Sequence, residues 1–287
     1  MAIAVLFLPE ASDYIASSPQ ESLSLARPVS QSPFVLGLQS AAKQHNLHIN
    51  VGIHVPVAVK AAADITSNPV VPTVPKSEAG SGAGAGAGVS TQQEEPRTKL
   101  FNRTIWIDAD GTVRDAATYD KLHLFDYGAL RESTQTQAGT SIVQPFDTPV
   151  GRVGALICFD LRFPEPAIRL AHPPPSSGWK PAQLLTYPSA FTVPTGRAHW
   201  EVLLRARAIE SQSYVVAAAQ VGNHNGKRVS YGRSMAVDPW GKVLCALGGI
   251  ADDGSVEDGA VGQLGLVDVD LGEWDRIRES MPLVRRT

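Results

Sequence analysis

Residues 151–171 read GRVGALICFDLRFPEPAIRLA, and the order of residue types here decides how the rest of the chain is read. An apolar run carries Cys158 near its far end, and Asp160, Arg162 and Glu165 follow within seven residues. Pro164 and Pro166 then open a segment in which Ala167, Ile168, Leu170 and Ala171 recur at helical spacing. Prolines suit a helix entry, where the first N–H groups have no partner inside the helix. The stretch therefore predicts a buried strand over 151–159 running straight into a helix. A cysteine at such a junction is, taken alone, more often a wall residue than a nucleophile. To attack it must become a thiolate, and burial disfavours that charge, so it would need a base and a positive charge beside it. The helix entry would supply backbone N–H groups to a developing oxyanion.

Outward from this junction, extended and helical patterns alternate. HNLHINVGIHV (45–55) and LFNRTIWID (100–108) read as strands, the second followed by the Asp110-Gly111 turn signal. PAQLLTYPS (181–189) is a further buried strand, and HWEVLLRARAIESQ (199–212) places Trp200, Leu203, Leu204 and Ala208 on one helical face, with Glu201 and Arg205 as an i,i+4 pair on the other. SYVVAAAQVG, RSMAVDPWGKVLCAL and GQLGLVDVDL predict more strands, with DPWG turning a hairpin. Alternation first and strands later predict an α/β protein with a mixed sheet under helices. Residues 56–98 stand apart: rich in Gly, Ala, Ser and Pro, they are read as a disordered insertion in one domain spanning 1–287. Its GAGAG lacks the Lys-Ser/Thr ending of a phosphate loop.

Composition excludes several classes. A net charge of −3 leaves no basic footprint for nucleic acid or for a membrane surface, and no apolar run reaches the length of a span. Met1 to Pro9 reads as a buried strand rather than a signal core, because no basic region leads it and Glu10 follows at once. Two cysteines in 287 residues make no disulfide framework and fit a reducing compartment. Cys245 has no charged neighbourhood and reads as structural. His45, His48 and His54 lack a cysteine or carboxylate at ligand spacing, so no metal is expected.

Two further stretches change the weight on Cys158. FLPEASDYIA puts Glu10 at the end of an apolar strand, where a carboxylate is costly without a partner or a task. TYDKLHLFDYG puts Lys121 among Leu122, Leu124 and Phe125. Each has a bland reading, Glu10 as a solvated strand end and Lys121 as a snorkelling surface lysine.

Together, LPEA, YDKLHLFD, RESTQTQAG and ICFDLRFPE resemble, in order, the glutamate, lysine, second-glutamate and cysteine motifs of the nitrilase superfamily of carbon-nitrogen hydrolases. The stretch from LTYPSAF through HWEVLLRARAIESQ and GNHNGKR to YGRSM looks like the branch that contains deaminated glutathione amidase. The resemblance covers nearly all of the chain outside 56–98. It implies an α-β-β-α four-layer sandwich with mixed sheets, pairing of two copies through helices, and an amidase needing no metal or organic cofactor. Glu10 would be the general base, Lys121 the oxyanion stabiliser with the backbone N–H of Phe159, Cys158 the nucleophile that forms a thioester, and Glu132 the residue that orients the lysine and the substrate nitrogen. The implied substrate is deaminated glutathione, cleaved to 2-oxoglutarate and cysteinylglycine. The competing expectations are an omega-amidase acting on 2-oxoglutaramate and an inactive truncated relative. A redox-sensing Cys158 is a weaker competitor, because no resolving cysteine lies near it in sequence.

A doubly anionic substrate needs cationic or N–H partners. Thr192, Thr195 and Arg197 in FTVPTGR are the candidate contacts, expected on a loop after a core strand, whereas Arg162 is expected to pair with Glu165. The chain departs from the family pattern in three ways. The first strand and long helix of that pattern have no counterpart before MAIAVLFLPE, so the domain is expected to be truncated at its start. The 56–98 insertion is long, and AHPPPSSGWKPAQ adds a proline-rich loop. Arg233 stands where the branch usually has histidine, a change expected to touch substrate fit. The expected compartment is the cytoplasm, with a mitochondrial form left open by that start.

Overall fold

The protein is described by a computed structural model covering residues 3–59, 97–127 and 130–285. Chain order begins with β1 (Val5–Phe7), α1 (Pro19–Leu25), α2 (Pro33–His45), β2 (His48–Val59), β3 (Arg97–Ile107) and β4 (Tyr119–Asp120). The short strands β5 (Asp126–Tyr127) and β6 (Leu130–Arg131) precede β7 (Phe146–Thr148), β8 (Gly151–Ala155), α3 (Pro164–Ala171) and β9 (Leu184–Thr186). The rest comprises α4 (Val193–Ser211), β10 (Tyr214–Ala217), β11 (Val221–Asn225), β12 (Arg228–Tyr231), β13 (Met235–Val237), β14 (Val243–Ala246) and α5 (Leu271–Ser280).

Local chemistry sets the helix limits. Ser18 and Ser32 cap α1 and α2 by accepting from the N–H groups of Glu21 and Val35, each followed by a proline at the first helical position. Asn46 and Gln212 close α2 and α4 in the left-handed conformation.

Strands β5–β6 and β11–β12 are separate antiparallel pairs, and the other ten described strands form two mixed sheets. One has the order β1-β2-β3-β4, with β1 parallel to β2 and the other pairs antiparallel. The other has the order β14-β13-β10-β9-β8-β7, with β8, β9 and β10 mutually parallel. The crossovers α3 and α4 connect those parallel strands, as parallel pairing requires. Strand alternation divides the apolar residues among three cores. Ile105 and Ile107 join Val35 and Ala42 of α2 on the outer face of the first sheet. Leu185 and Val215 join Leu170 of α3 and Trp200, Leu204 and Ala208 of α4 on the outer face of the second. Trp106, Leu184 and Tyr214, the neighbours of those residues in sequence, turn inward and meet between the sheets with Phe7 and Phe146. The fold is thus the α/β sandwich that the motifs imply, helices outside and two sheets face to face.

Three expectations are corrected. Pro56–Val59 and Arg97–Thr98 lie inside β2 and β3, paired up to Val59↔Arg97, so the strands reach into the segment read as an insertion; the remainder, 60–96, lies outside the described residues. Composition misled here because Pro56 counts against a strand, yet β1 pairs only with residues 48–50 and the edge of β2 beyond it needs no proline N–H. GQLGLVDVDL forms no strand: the segment pairs with none among the described residues, and Leu264 and Leu266 are exposed. The helix read over 199–212 begins earlier, at Val193.

Candidate active site

Three segments from two sheets converge on one buried cluster. Glu10 follows β1, where Leu8 donates to Asn50 O and Gly52 donates to Pro9 O, extending the β1–β2 pairing beyond the strand. A Cβ on Gly52 would come within 2.6 Å of Glu10 Cα, so this approach requires glycine. Lys121 leaves β4 tied to Asn102, its N–H donating to Asn102 O at 2.9 Å. Cys158 ends the approach from β8 with φ 42°, and Ala11 beside Glu10 has φ 53°. Non-glycine residues in this region cost on the order of 1 kcal/mol and persist only where surroundings hold them. For Cys158 the surroundings are explicit. Its N–H donates to Pro188 O, and buried Asp160 braces the turn. Asp160 Oδ2 accepts from Ile157 N at 3.0 Å and Tyr119 Oη at 2.7 Å, while Oδ1 accepts from His123 N at 3.0 Å. Because Tyr119 and His123 flank Lys121, one carboxylate locks the cysteine turn to the lysine segment.

Within the cluster, Lys121 Nζ donates to Glu10 Oε1 at 2.9 Å and to Glu132 Oε2 and Oε1 at 2.9 and 3.1 Å. The thiol of Cys158 lines the same pocket as Glu10 and Lys121, near enough for both charges to act on it. Lys121 is 2%, Glu10 5% and Cys158 8% exposed, so these charges interact in a poorly screened interior. Burial pushes the Glu10 carboxyl up, but the charge and hydrogen bond of Lys121, with those from Cys158 and Asn102, outweigh it and hold the group below its usual value. Burial likewise penalises the Lys121 ammonium, and the charges of Glu10 and Glu132 reverse this and raise it well above the ordinary lysine value. The Cys158 thiol is pushed up, first by burial and then by Glu10, against the opposing pull of Lys121. At rest Lys121 is therefore an ammonium, Glu10 a carboxylate and Cys158 a neutral thiol. Phe159, next to Cys158, has a backbone N–H without a hydrogen-bond partner among the described residues.

The cluster opens into a cavity of about 560 Å³ lined by Glu10, Lys121, Glu132, Cys158, Phe159, Thr192 and Thr195. Arg197 is not brought to it. Thr195 and Arg197 sit on the first turns of α4 rather than on a loop, and two positions are about 200° apart around a helix; Arg197 donates to Ala251 O instead. Arg162 is not paired with Glu165. It lines the cavity, with Nη2 at 3.1 Å from His199 Nδ1 and its guanidinium over the rings of Phe159 and Phe191 at 5.5 and 5.7 Å. The 3₁₀ turn over Cys158–Arg162 ends before α3 begins, which separates Arg162 from Glu165. Arg233 pairs with Glu257 and does not line the cavity. His48 and His54 pair with Asp108 and Asp13, and no metal-competent cluster occurs among the described residues.

Sequence reading missed Asn102. Its Nδ2 donates to Glu10 Oε1 at 2.6 Å and Glu132 Oε1 at 2.9 Å, so one amide ties both carboxylates. The signal was present: Asn102 alternates with Leu100, Thr104 and Trp106 on a buried strand face, where an amide needs partners. The Phe125 N–H, which donates to Glu132 Oε2 at 2.7 Å, carries no sequence signal.

A family model described as carbon-nitrogen hydrolase matches residues 83–279. The chain is 38% identical over 287 residues to a Schizosaccharomyces pombe protein named "Probable hydrolase nit2", covering 98% of this chain and 84% of that one. The chain belongs to the carbon-nitrogen hydrolase family. This carbon-nitrogen hydrolase is also 41% identical over 245 residues to the deaminated glutathione amidase of Mus musculus, with 83% of this chain covered but only 62% of the relative. Among solved structures, it resembles the Caenorhabditis elegans NitFhit protein with TM-score 0.69 and 36% identity, over 97% of this chain and 55% of that one. The chain thus spans less than two thirds of the length of the latter two relatives. As a member of that family, the chain is a hydrolase of carbon–nitrogen bonds.

Proposed function

We propose that this hydrolase cleaves the amide of deaminated glutathione through a Cys158 thioester, releasing cysteinylglycine and then 2-oxoglutarate. The observation that carries the mechanism is the hydrogen-bonded set Glu10–Lys121–Glu132 lining one cavity with Cys158. The neutral thiol hands its proton to Glu10 as sulfur attacks the amide carbon. Charge then moves rather than accumulates: Glu10 becomes neutral, the carbonyl oxygen becomes negative, and Lys121 exchanges one anionic partner for another. The Phe159 N–H supplies a second donor to that oxygen. Glu132 and Asn102 hold Lys121 and Glu10 in place throughout. On collapse the C–N bond breaks and Glu10 returns the proton to the leaving amine. Water then loses a proton to Glu10 as its oxygen attacks the thioester. The C–S bond breaks, and the proton on Glu10 returns to the sulfur.

The name of the mouse relative supports the substrate, and so does Arg162, a cation in the cavity with no carboxylate partner among the described residues. A guanidinium there suits the carboxylate of a 2-oxo acid on the acyl side of the scissile bond. The volume lies inside the roughly 300–1,000 Å³ range of small-molecule sites. Release of 2-oxoglutarate from deaminated glutathione, abolished in Cys158→Ala, is the expected result. Faster release from 2-oxoglutaramate would make the protein an omega-amidase, and release that survives Cys158→Ala would remove the nucleophile assignment.

A further inference from the structure

The cavity carries more positive charge than the chemistry uses. Lys121 is matched by Glu10 and Glu132, and Arg228 is committed to Ala190 O. Arg162, Arg131 and Lys227 line the same cavity with no carboxylate partner among the described residues. Arg162 stacks on Phe159 beside the nucleophile, whereas Arg131 and Lys227 are exposed and so stand at the mouth. Lys227 sits at the turn between β11 and β12, its N–H donating to Asn225 Oδ1.

That turn is fixed over the site. Gln220, just before β11, donates from Nε2 to Glu10 O at 3.0 Å and Ala11 O at 3.2 Å. Asn225 reaches Ala16 O at 3.4 Å, and Arg228 holds Ala190 O. Arg131 is likewise placed by its neighbour, since Glu132 is bound to Lys121. Two backbones therefore present unmatched, exposed cations to the cavity, whereas Arg162 is half-buried against Phe159.

We propose that Lys227 and Arg131 form an anion subsite that binds the terminal carboxylate of the leaving group, so that the enzyme selects amides whose amine half is a short peptide with a free C-terminus. The subsite rests on the reading of Arg162 as the acyl-side anchor and of the substrate as deaminated glutathione. A 2-oxo-acid amide of a dipeptide carries one carboxylate at each end, and the cavity offers one cation packed on aromatic rings beside Cys158 and two exposed to solvent. An unsubstituted amide such as 2-oxoglutaramate has nothing to place at the mouth. Selection would thus favour the longer substrate without excluding the shorter one.

The test is a double-mutant cycle between protein and substrate. kcat/KM is measured for deaminated glutathione and for its glycine carboxamide, identical except that the distal charge is removed. In the wild type the acid is preferred. In Lys227→Gln the ratio of acid to carboxamide falls about tenfold, the scale of one charge-assisted hydrogen bond. Arg131→Gln lowers it in the same direction, and Lys227→Glu inverts the preference. Added salt narrows the wild-type ratio, because a pair at the mouth is screened. Lys242→Gln, which removes an exposed lysine outside the cavity, leaves the ratio unchanged and controls for net charge. An unchanged ratio in Lys227→Gln, or equal losses on both substrates, overturns the subsite while leaving the proposed function intact. A wild type that releases 2-oxoglutarate from neither compound, while iodoacetamide still labels Cys158, overturns the proposed function and the subsite with it.

Discussion

The protonation of three side chains governs the behaviour of this site. Glu10 is held below its usual value and Lys121 well above its own. The Glu10 contribution to stability is therefore complete above the unfolded glutamate value and is lost as pH falls through the lower folded value. The Lys121 contribution is complete below the unfolded lysine value and is lost only far above it. The acid limb of kcat/KM is expected below the ordinary glutamate range. The Asn102 hydrogen bond is one of the interactions that depress Glu10, so Asn102→Ala should move that limb to higher pH, which a pH–rate profile reads directly. Lys121→Met leaves Glu10 and Glu132 without their counter-charge and should cost about 3–5 kcal/mol in urea unfolding. Lower pH should recover part of that loss by protonating Glu10, a sign opposite to the wild type. Because the Cys158 thiol is pushed up, its alkylation by iodoacetamide should keep accelerating with pH well past about 8.5, the ordinary cysteine value.

The elements matter through their ends more than through their length. β1 is three residues long, and what places Glu10 is the close passage of the chain over Gly52 in β2. A methyl group there meets backbone, which cannot rotate away. Gly52→Ala should cost about 1–3 kcal/mol, as overpacking does, and should lower kcat disproportionately by displacing Glu10 from Lys121; thermal melting and turnover on the same sample separate the two effects. The junction after β8 was legible as strand-then-helix. The intervening 3₁₀ turn, with Cys158 at φ 42°, was not, because nothing local favours that conformation for cysteine. It is imposed by Asp160, whose partners come from the segment around Lys121. Likewise, the i,i+4 pairing of Glu201 with Arg205 was readable and is present, whereas Arg162 escaped its near neighbour Glu165 for the ring of Phe159 in its own turn and for Phe191 and His199 farther along the chain.

For the molecule as a whole, the site exists only where the two sheets meet. The first sheet and its connections supply Glu10, Asn102, Lys121 and Glu132, and the second supplies Cys158. Gln220 ties the strand region beyond β10 to the backbone of Glu10 and Ala11. The described β2–β3 pairing reaches Val59↔Arg97, two facing strand ends that a short turn can join. Replacing residues 60–96 by an Asn-Gly turn should leave activity intact and raise stability by roughly 2 kcal/mol through the shorter loop closure. Unchanged kcat/KM with a higher melting temperature is the expected outcome; lost activity would show that the segment takes part in the site.

The sequence by itself pointed to the alternation of elements, the family and the four residues that meet at the cavity. Periodicity, capping residues and motif order are relations between near neighbours, and a linear reading sees them. The tertiary structure alone decided which charges meet. Asn102 and Glu10 stand 92 residues apart and share a hydrogen bond of 2.6 Å. Arg197 turned away from the cavity that Arg162 entered, because a helix rotates successive side chains and a packed interface selects among them. Interactions of that kind depend on how one sheet face lies against another, a property that no stretch of neighbouring residues contains.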